Sequence, residues 1–169
     1  FTSKQIRSSY EILCNSERKY FVTHSKISFK TPHKETSWFP HQDSGYKVIG
    51  KEKSFAIFVC LEDMNISNGA LQVFPGSHKL GLLPHVRKIE NKFTNDGQYY
   101  IKNLPKNFFP KIISASKGDI IIFHNDCIHQ SGNCETQSKR LAFIWEIGCY
   151  QFGVIDGYGN LPYLIYGRL

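Results

Sequence analysis

The chain contains no CxxC pair, no apolar run near the ~18 residues that mark a membrane-spanning helix, and few acidic residues beside its basic ones. Each absence excludes something. The five cysteines, Cys14, Cys60, Cys127, Cys134 and Cys149, are odd in number, and Cys60 and Cys149 sit within apolar runs where a thiol behaves as a small hydrophobe. A disulfide scaffold is therefore not expected, and a reducing compartment such as the cytoplasm is. The opening Phe1-Thr2-Ser3-Lys4 resembles neither a signal peptide nor a lipidation site, so no membrane span or anchor is expected. Because the chain begins at Phe1 and not at Met, an upstream segment, a targeting segment included, stays open.

The deficit of acidic residues, 14 against 21 basic ones, leaves a net charge of +7 that would suit an anionic metabolite, an acyl carrier or nucleic acid. The basic residues are scattered, with a mild concentration at Arg87, Lys88, Lys92, Lys102, Lys106 and Lys111. No nucleic-acid-binding module accompanies them, so they read as a solvated surface and no specific nucleic-acid partner is expected.

What the chain does contain is core: 41% hydrophobic and 14% aromatic residues over 169 positions suffice for a single domain spanning residues 1–169. Ile6, Tyr10 and Leu13 fall at helical spacing behind a capping Ser3, which predicts a short flanking helix. Thereafter the pattern is β. Residues 55–61, 70–74, 111–115, 119–124 and 140–147 are short runs rich in β-branched and aromatic side chains. Asn68-Gly69, Pro75-Gly76-Ser77, Lys117-Gly118-Asp119 and Ser131-Gly132-Asn133 punctuate them as turns. Many short strands with little helix predict a mainly β fold, a sandwich or barrel, of which a jelly roll covers enough strand edge. Residues 80–110 form the longest irregular stretch and are the candidate lid loop.

The chemistry gathers at Phe39-Pro40-His41-Gln42-Asp43-Ser44-Gly45. On an extended strand residues i and i+2 share a face, so His41 and Asp43 can present a ring nitrogen and a carboxylate oxygen to one point. A third ligand is available downstream from His124 or His129; His129, beyond a short turn, is the better placed. Arg140 opens the next apolar strand, and a hairpin between the two would set ligand and cation side by side. Two histidines and one carboxylate occupy one face of an octahedral metal and leave three positions open, the arrangement of nonhaem Fe(II) oxygenases. A 2-oxo acid can chelate through two of these, leaving one for O2, while the planar guanidinium of Arg140 suits its distal carboxylate. Trp38 and Tyr46, flanking the triplet, are candidate substrate walls. Two rival readings are a jelly roll that binds a metal or ligand without catalysis, and a zinc site from Cys127, His129 and Cys134, whose spacing fits no finger or ribbon.

Taken together, His41-Gln42-Asp43, the run NGALQVFPGSHK at residues 68–79, GDIIIFH at 118–124, and HQSGN at 129–133 followed by Arg140 resemble the phytanoyl-CoA dioxygenase family. The resemblance covers about residues 26–145 and lies in the order and spacing of several motifs. It implies a double-stranded β-helix, a jelly-roll, cupin-like barrel, and an Fe(II)- and 2-oxoglutarate-dependent hydroxylase consuming O2 and releasing succinate and CO2. In that reading His41, Asp43 and His129 hold iron, and Arg140 holds 2-oxoglutarate, assisted by Ser131 and flanked by Phe58. Gln42 would line the pocket between the ligands. The Asp43 carboxylate favours hydroxylation over halogenation, since related halogenases carry a small residue there. The family's usual upstream segment lies outside this sequence and the part after Trp145 is short, so the resemblance leaves the substrate open, a small organic molecule for which the net charge of +7 would suit an anion.

Overall fold

The computed structural model describes residues 20–34, 36–46, 54–91, 96–149 and 163–166. Their strands, in chain order, are β1 (Tyr20–Lys30), β2 (Trp38–His41), β3 (Ser54–Cys60), β4 (Leu71–Val73), β5 (Val86–Asn91), β6 (Asp96–Tyr100), β7 (Lys111–Ile112), β8 (Ile120–His124), β9 (His129–Ser131), β10 (Arg140–Cys149) and β11 (Tyr163–Tyr166). They form a five-stranded sheet in the order β11-β1-β10-β3-β8, a four-stranded sheet β2-β9-β4-β7, and the two-stranded pair β5-β6, all antiparallel. The expected mainly β architecture is what is found. The helix expected over residues 3–13 lies outside the described residues, among which the helical segments are short 3-10 turns. No helix among them is long and apolar enough to cross a membrane.

Alternation along the strands divides the large sheet into two faces. Phe55, Ile57 and Ile147 pack with Val59, Ile122 and Trp145 on one. Phe58, Cys60, Ala142 and Ile144 pack with Met64, Ala70, Ile121 and Phe123 on the other. The second face is turned to the small sheet, where the Phe123 ring meets that of His129 at 4.8 Å between centroids. A turn that needs left-handed backbone lies on the connection from β3 in the large sheet to β4 in the small one. Gly69 has φ +79°, and a Cβ there would lie 2.6 Å from the Lys30 side chain and 2.7 Å from the Gly132 carbonyl, so only glycine fits.

Two connections differ from expectation. His129 and Arg140 do not share a hairpin: β9 belongs to the small sheet and β10 to the large one, so residues 132–139 cross between layers. Residues 80–110 are not irregular throughout, because they contain the β5-β6 hairpin. That hairpin is docked on β2. Phe39 donates its backbone N–H to Gln98 Oε1 (3.1 Å), Gln98 Nε2 donates to Ser37 O (3.0 Å), and the Ile101 N–H donates to Pro40 O (2.8 Å). Phe39 also stacks near Tyr100 and takes the Lys88 ammonium over its ring. The sequence shows the two tyrosines and the basic residues but not the partner that fixes them.

Candidate metal centre

His41 ends β2 and His129 opens β9, and the two residues are directly paired in antiparallel register. Asp43 begins the 3-10 turn that follows β2. All three side chains are buried, and one ligand atom from each lies within 4.8 Å of the other two. Among the described residues no other group of His, Cys, Asp or Glu gathers in this way. His41 Nε2 stands 3.8 Å and His129 Nε2 3.6 Å from Asp43 Oδ1, too far for hydrogen bonds. Each Nδ1 instead reaches a carbonyl, Phe39 O at 2.7 Å for His41 and Cys127 O at 2.9 Å for His129. A carbonyl accepts only, so both Nδ1 atoms carry the proton and both Nε2 lone pairs face Asp43. Burial, and next the His129 ring, hold His41 down at about 3, well below the ordinary histidine value, so its imidazole is neutral. Two imidazole Nε2 atoms and a carboxylate converging without hydrogen bonds among them suit a divalent cation. The tilted Trp38 ring and the edge-on Tyr46 ring flank His41 at 5.9 and 5.6 Å, where walls beside the centre were expected.

Gln42 stands otherwise than expected. It is fully buried, and its amide is taken up by backbone: Nε2 donates to Gly81 O (2.8 Å) and Asp126 O (2.7 Å), while Oε1 accepts from the Leu83 N–H (2.8 Å). Gln42 therefore clamps the two flanking loops in place of lining a pocket. Its backbone N–H donates to His85 Nε2 (3.0 Å), whose Nδ1 is committed to Leu83 O (2.7 Å). Gln42→Leu would leave three part-buried backbone groups without this partner, so a loss of about 1–3 kcal/mol in all is expected in urea denaturation. A loss below about 1 kcal/mol would show that the clamp carries little.

Arg140 is 2% exposed and projects from the inner face of β10. Its Nη2 donates to Ser28 Oγ at 2.5 Å, its guanidinium lies over the Phe58 ring at 5.4 Å, and its Nε has no partner. No carboxylate pairs with it among the described residues. Burial lowers its pKa to about 10, and it remains a cation at neutral pH. Ser131 is buried on β9, two residues beyond His129. His124 ends β8 away from the triad, with its Nδ1 accepting from the Asp126 N–H.

Lys30 was not apparent as a site residue. It faces Arg140 directly across the β1-β10 pair and is 1% exposed. Its ammonium donates to Thr36 O and to Gly132 O (2.7 Å), tying the segments that flank β2 and β9 to the large sheet. Burial, then the charge of Arg140, lower it from 10.5 to about 7. The unfolded chain thus keeps this proton where the folded one sheds it, so the Lys30 contribution to stability should rise with pH above about 7. Denaturation at pH 7 and 8.5 is expected to show that rise, and Lys30→Met to lack it. An equal pH slope in both proteins would contradict it.

With this geometry in place, the comparisons with known proteins can be weighed. The sequence pattern of the family described as phytanoyl-CoA dioxygenase (PhyH) matches residues 8–142. The chain belongs to the phytanoyl-CoA dioxygenase family. A phytanoyl-CoA dioxygenase of Arabidopsis thaliana is 32% identical over 126 residues, 75% of this chain and 44% of the relative. The L-proline trans-4-hydroxylase of Streptomyces griseoviridis is 22% identical over 141 residues, 73% of this chain and 53% of its own length. The chain thus spans about half the length of the curated relatives it matches. Among solved structures, the apo non-heme monooxygenase ThoJ superposes with a TM-score of 0.76 at 19% identity, over 98% of this chain and 59% of that one. EvdO2 from Micromonospora carbonacea, complexed with 2-oxoglutarate, gives 0.69 at 17% identity, over 86% and 58%. These structural likenesses establish a shared fold.

Proposed function

We propose that this chain is the catalytic core of an Fe(II)- and 2-oxoglutarate-dependent dioxygenase that hydroxylates a small organic substrate and releases succinate and CO2. The observation that carries the reading is the buried guanidinium of Arg140, without a carboxylate partner among the described residues, on the sheet face turned toward the His41, Asp43 and His129 cluster. A buried cation lacking a counter-ion is costly unless a ligand supplies one. A dicarboxylate with a chelating keto acid at its other end matches both features at once.

His41, Asp43 and His129 would hold the iron, and Arg140 would take the distal carboxylate, with Ser131 as a further donor and Phe58 as the flanking aromatic. When bound, iron together with 2-oxoglutarate supplies oxygen activation and the electrons for it. The protein's part is positional. Phe39 O and Cys127 O fix the ring orientations, and Ser28 holds one edge of the guanidinium while Nε stays open. Trp38 and Tyr46 bound the side of His41 where a substrate would approach, and Tyr46 Oη bonds the Tyr99 backbone of the docked hairpin. Residues 80–110 thus serve as a wall fastened to β2. The free thiols of Cys60, Cys127 and Cys134 suit a compartment that keeps cysteine reduced, the cytoplasm included.

Anaerobic titration with Fe(II) and then 2-oxoglutarate tests the reading. A visible chelate absorption that saturates at one equivalent, followed by succinate on admitting O2, is the expected result. Metal binding without any response to 2-oxoglutarate would overturn it.

A further inference from the structure

One ion pair on the inner face of the large sheet takes no part in the functions above. Lys26 on β1 and Glu146 on β10 approach to 3.5 Å between Nζ and Oε1. Lys26 shares its strand face with Ser28 and Lys30, and Glu146 shares its face with Arg140, Ala142 and Ile144. Both therefore belong to the wall turned to the small sheet. Glu146 lies in one cross-strand row with Ala56 and Phe123, and Phe123 touches the ring of His129. Strands lie ~4.8 Å apart, so Glu146 stands about 10 Å from Phe123 with only the Ala56 methyl group between them. Along β10, Glu146 is six residues from Arg140, roughly 20 Å. The wall thus has Arg140 at one end and the ion pair at the other.

The Lys26 side chain is 41% exposed and that of Glu146 only 7%, so the pair reaches from water into the interior. Its neighbours in the wall are the apolar Ala56, Phe58 and Ile144, with His24 directly opposite Glu146 on β1. An ion pair in such a wall adds little net stability, because desolvation offsets much of the attraction. A buried carboxylate there also opposes an alkyl chain lying against the sheet. Two opposite charges side by side suit a ligand carrying the same two charges in reverse.

We infer that Lys26 and Glu146 form the recognition site for a zwitterionic primary substrate of the α-amino-acid class, Lys26 taking its carboxylate and Glu146 its ammonium. This rests on the dioxygenase reading and names the substrate class of that same site. It sets the substrate opposite the 2-oxoglutarate end, with its carbon skeleton directed toward the metal ligands.

Calorimetry on the whole chain loaded with Zn(II), which is redox-inert, and 2-oxoglutarate tests it directly, with each proteinogenic L-amino acid as probe. The expected result is saturable binding of at least one. Its N-acetyl derivative and its methyl ester, each lacking one charge, should bind at least tenfold more weakly. In Glu146→Gln the penalty for N-acetylation should vanish, and in Lys26→Met the penalty for the ester. Both variants should retain the wild-type affinity for 2-oxoglutarate, which shows that they are folded. Equal binding of charged and blocked forms overturns the inference, as does binding of hexanoyl-CoA with no response to any amino acid. In either case intact 2-oxoglutarate binding leaves the dioxygenase reading standing. Failure of 2-oxoglutarate to bind wild type sinks that reading, and this inference with it.

Discussion

Asp43→Ala is expected to remove iron binding and 2-oxoglutarate-dependent succinate formation together. Asp43 is the only acidic member of its cluster, beside two histidine rings whose Nδ1 atoms face carbonyls. Without the carboxylate, two imidazoles would have to hold a divalent cation in a buried site with no compensating charge, which costs several kcal/mol. Metal affinity should therefore fall by about a thousandfold or more, the equivalent of roughly 4 kcal/mol. Circular dichroism of metal-free Asp43→Ala should show that the strands persist, so that a loss of metal binding is separated from a loss of fold. Anaerobic Fe(II) titration followed by succinate assay checks both halves. Turnover persisting at the wild-type rate would mean that the metal sits elsewhere.

Much of this centre was legible because strand alternation converts spacing into direction. His41 and Asp43 two apart, and His129 beyond a turn, were sufficient to name three residues that do come together. The strands at 54–60, 120–124 and 140–149 were legible for a similar reason, being short and rich in β-branched and aromatic residues. Pairing was not legible. Nothing local tells β9 to join β2 and β4 while β10 joins β1 and β3, so a hairpin from His129 to Arg140 was the natural but incorrect inference. Gln42 misled because a polar residue between two ligands reads as pocket lining, whereas its partners are carbonyls 39 and 84 residues away in sequence.

Strand β1 gives the sharper lesson. Its residues alternate cleanly, with Lys26, Ser28 and Lys30 on one face and Ile27 and Phe29 on the other. Hydrophobic patterning would turn the apolar face inward. The fold does the reverse: Ile27 and Phe29 are 62% and 51% exposed while Lys30 is 1% exposed. The proposed function gives this a reason, since a 2-oxoglutarate pocket at this point would need polar side chains on the inner face of β1. Such inversion, a clean period of two with its apolar face exposed, is the signal that could have found Ser28 and Lys30 beside Arg140, with Lys26 farther along the same face.

Arg140→Met is expected to separate cosubstrate binding from metal binding and from folding. Loss of a charge-assisted bidentate contact costs about 1.5 to 3 kcal/mol, so 2-oxoglutarate affinity should fall roughly ten- to hundredfold. Iron affinity should stay unchanged, because Arg140 contacts Ser28 and Phe58 and none of the three ligands. Stability without ligand provides the distinguishing sign. A buried guanidinium with an unpartnered Nε, and no carboxylate paired with it among the described residues, carries a desolvation cost that methionine does not. Ligand-free Arg140→Met should thus unfold no earlier than wild type, despite losing the Ser28 hydrogen bond. Adding metal and saturating 2-oxoglutarate should raise the wild-type midpoint by mass action while the variant lags behind. Arg140→Lys should fall between them, keeping the charge but not the planar pair of donors. Were Arg140 instead a structural strut, its loss would lower the ligand-free midpoint and leave the 2-oxoglutarate-induced shift intact, the opposite pattern on both measurements.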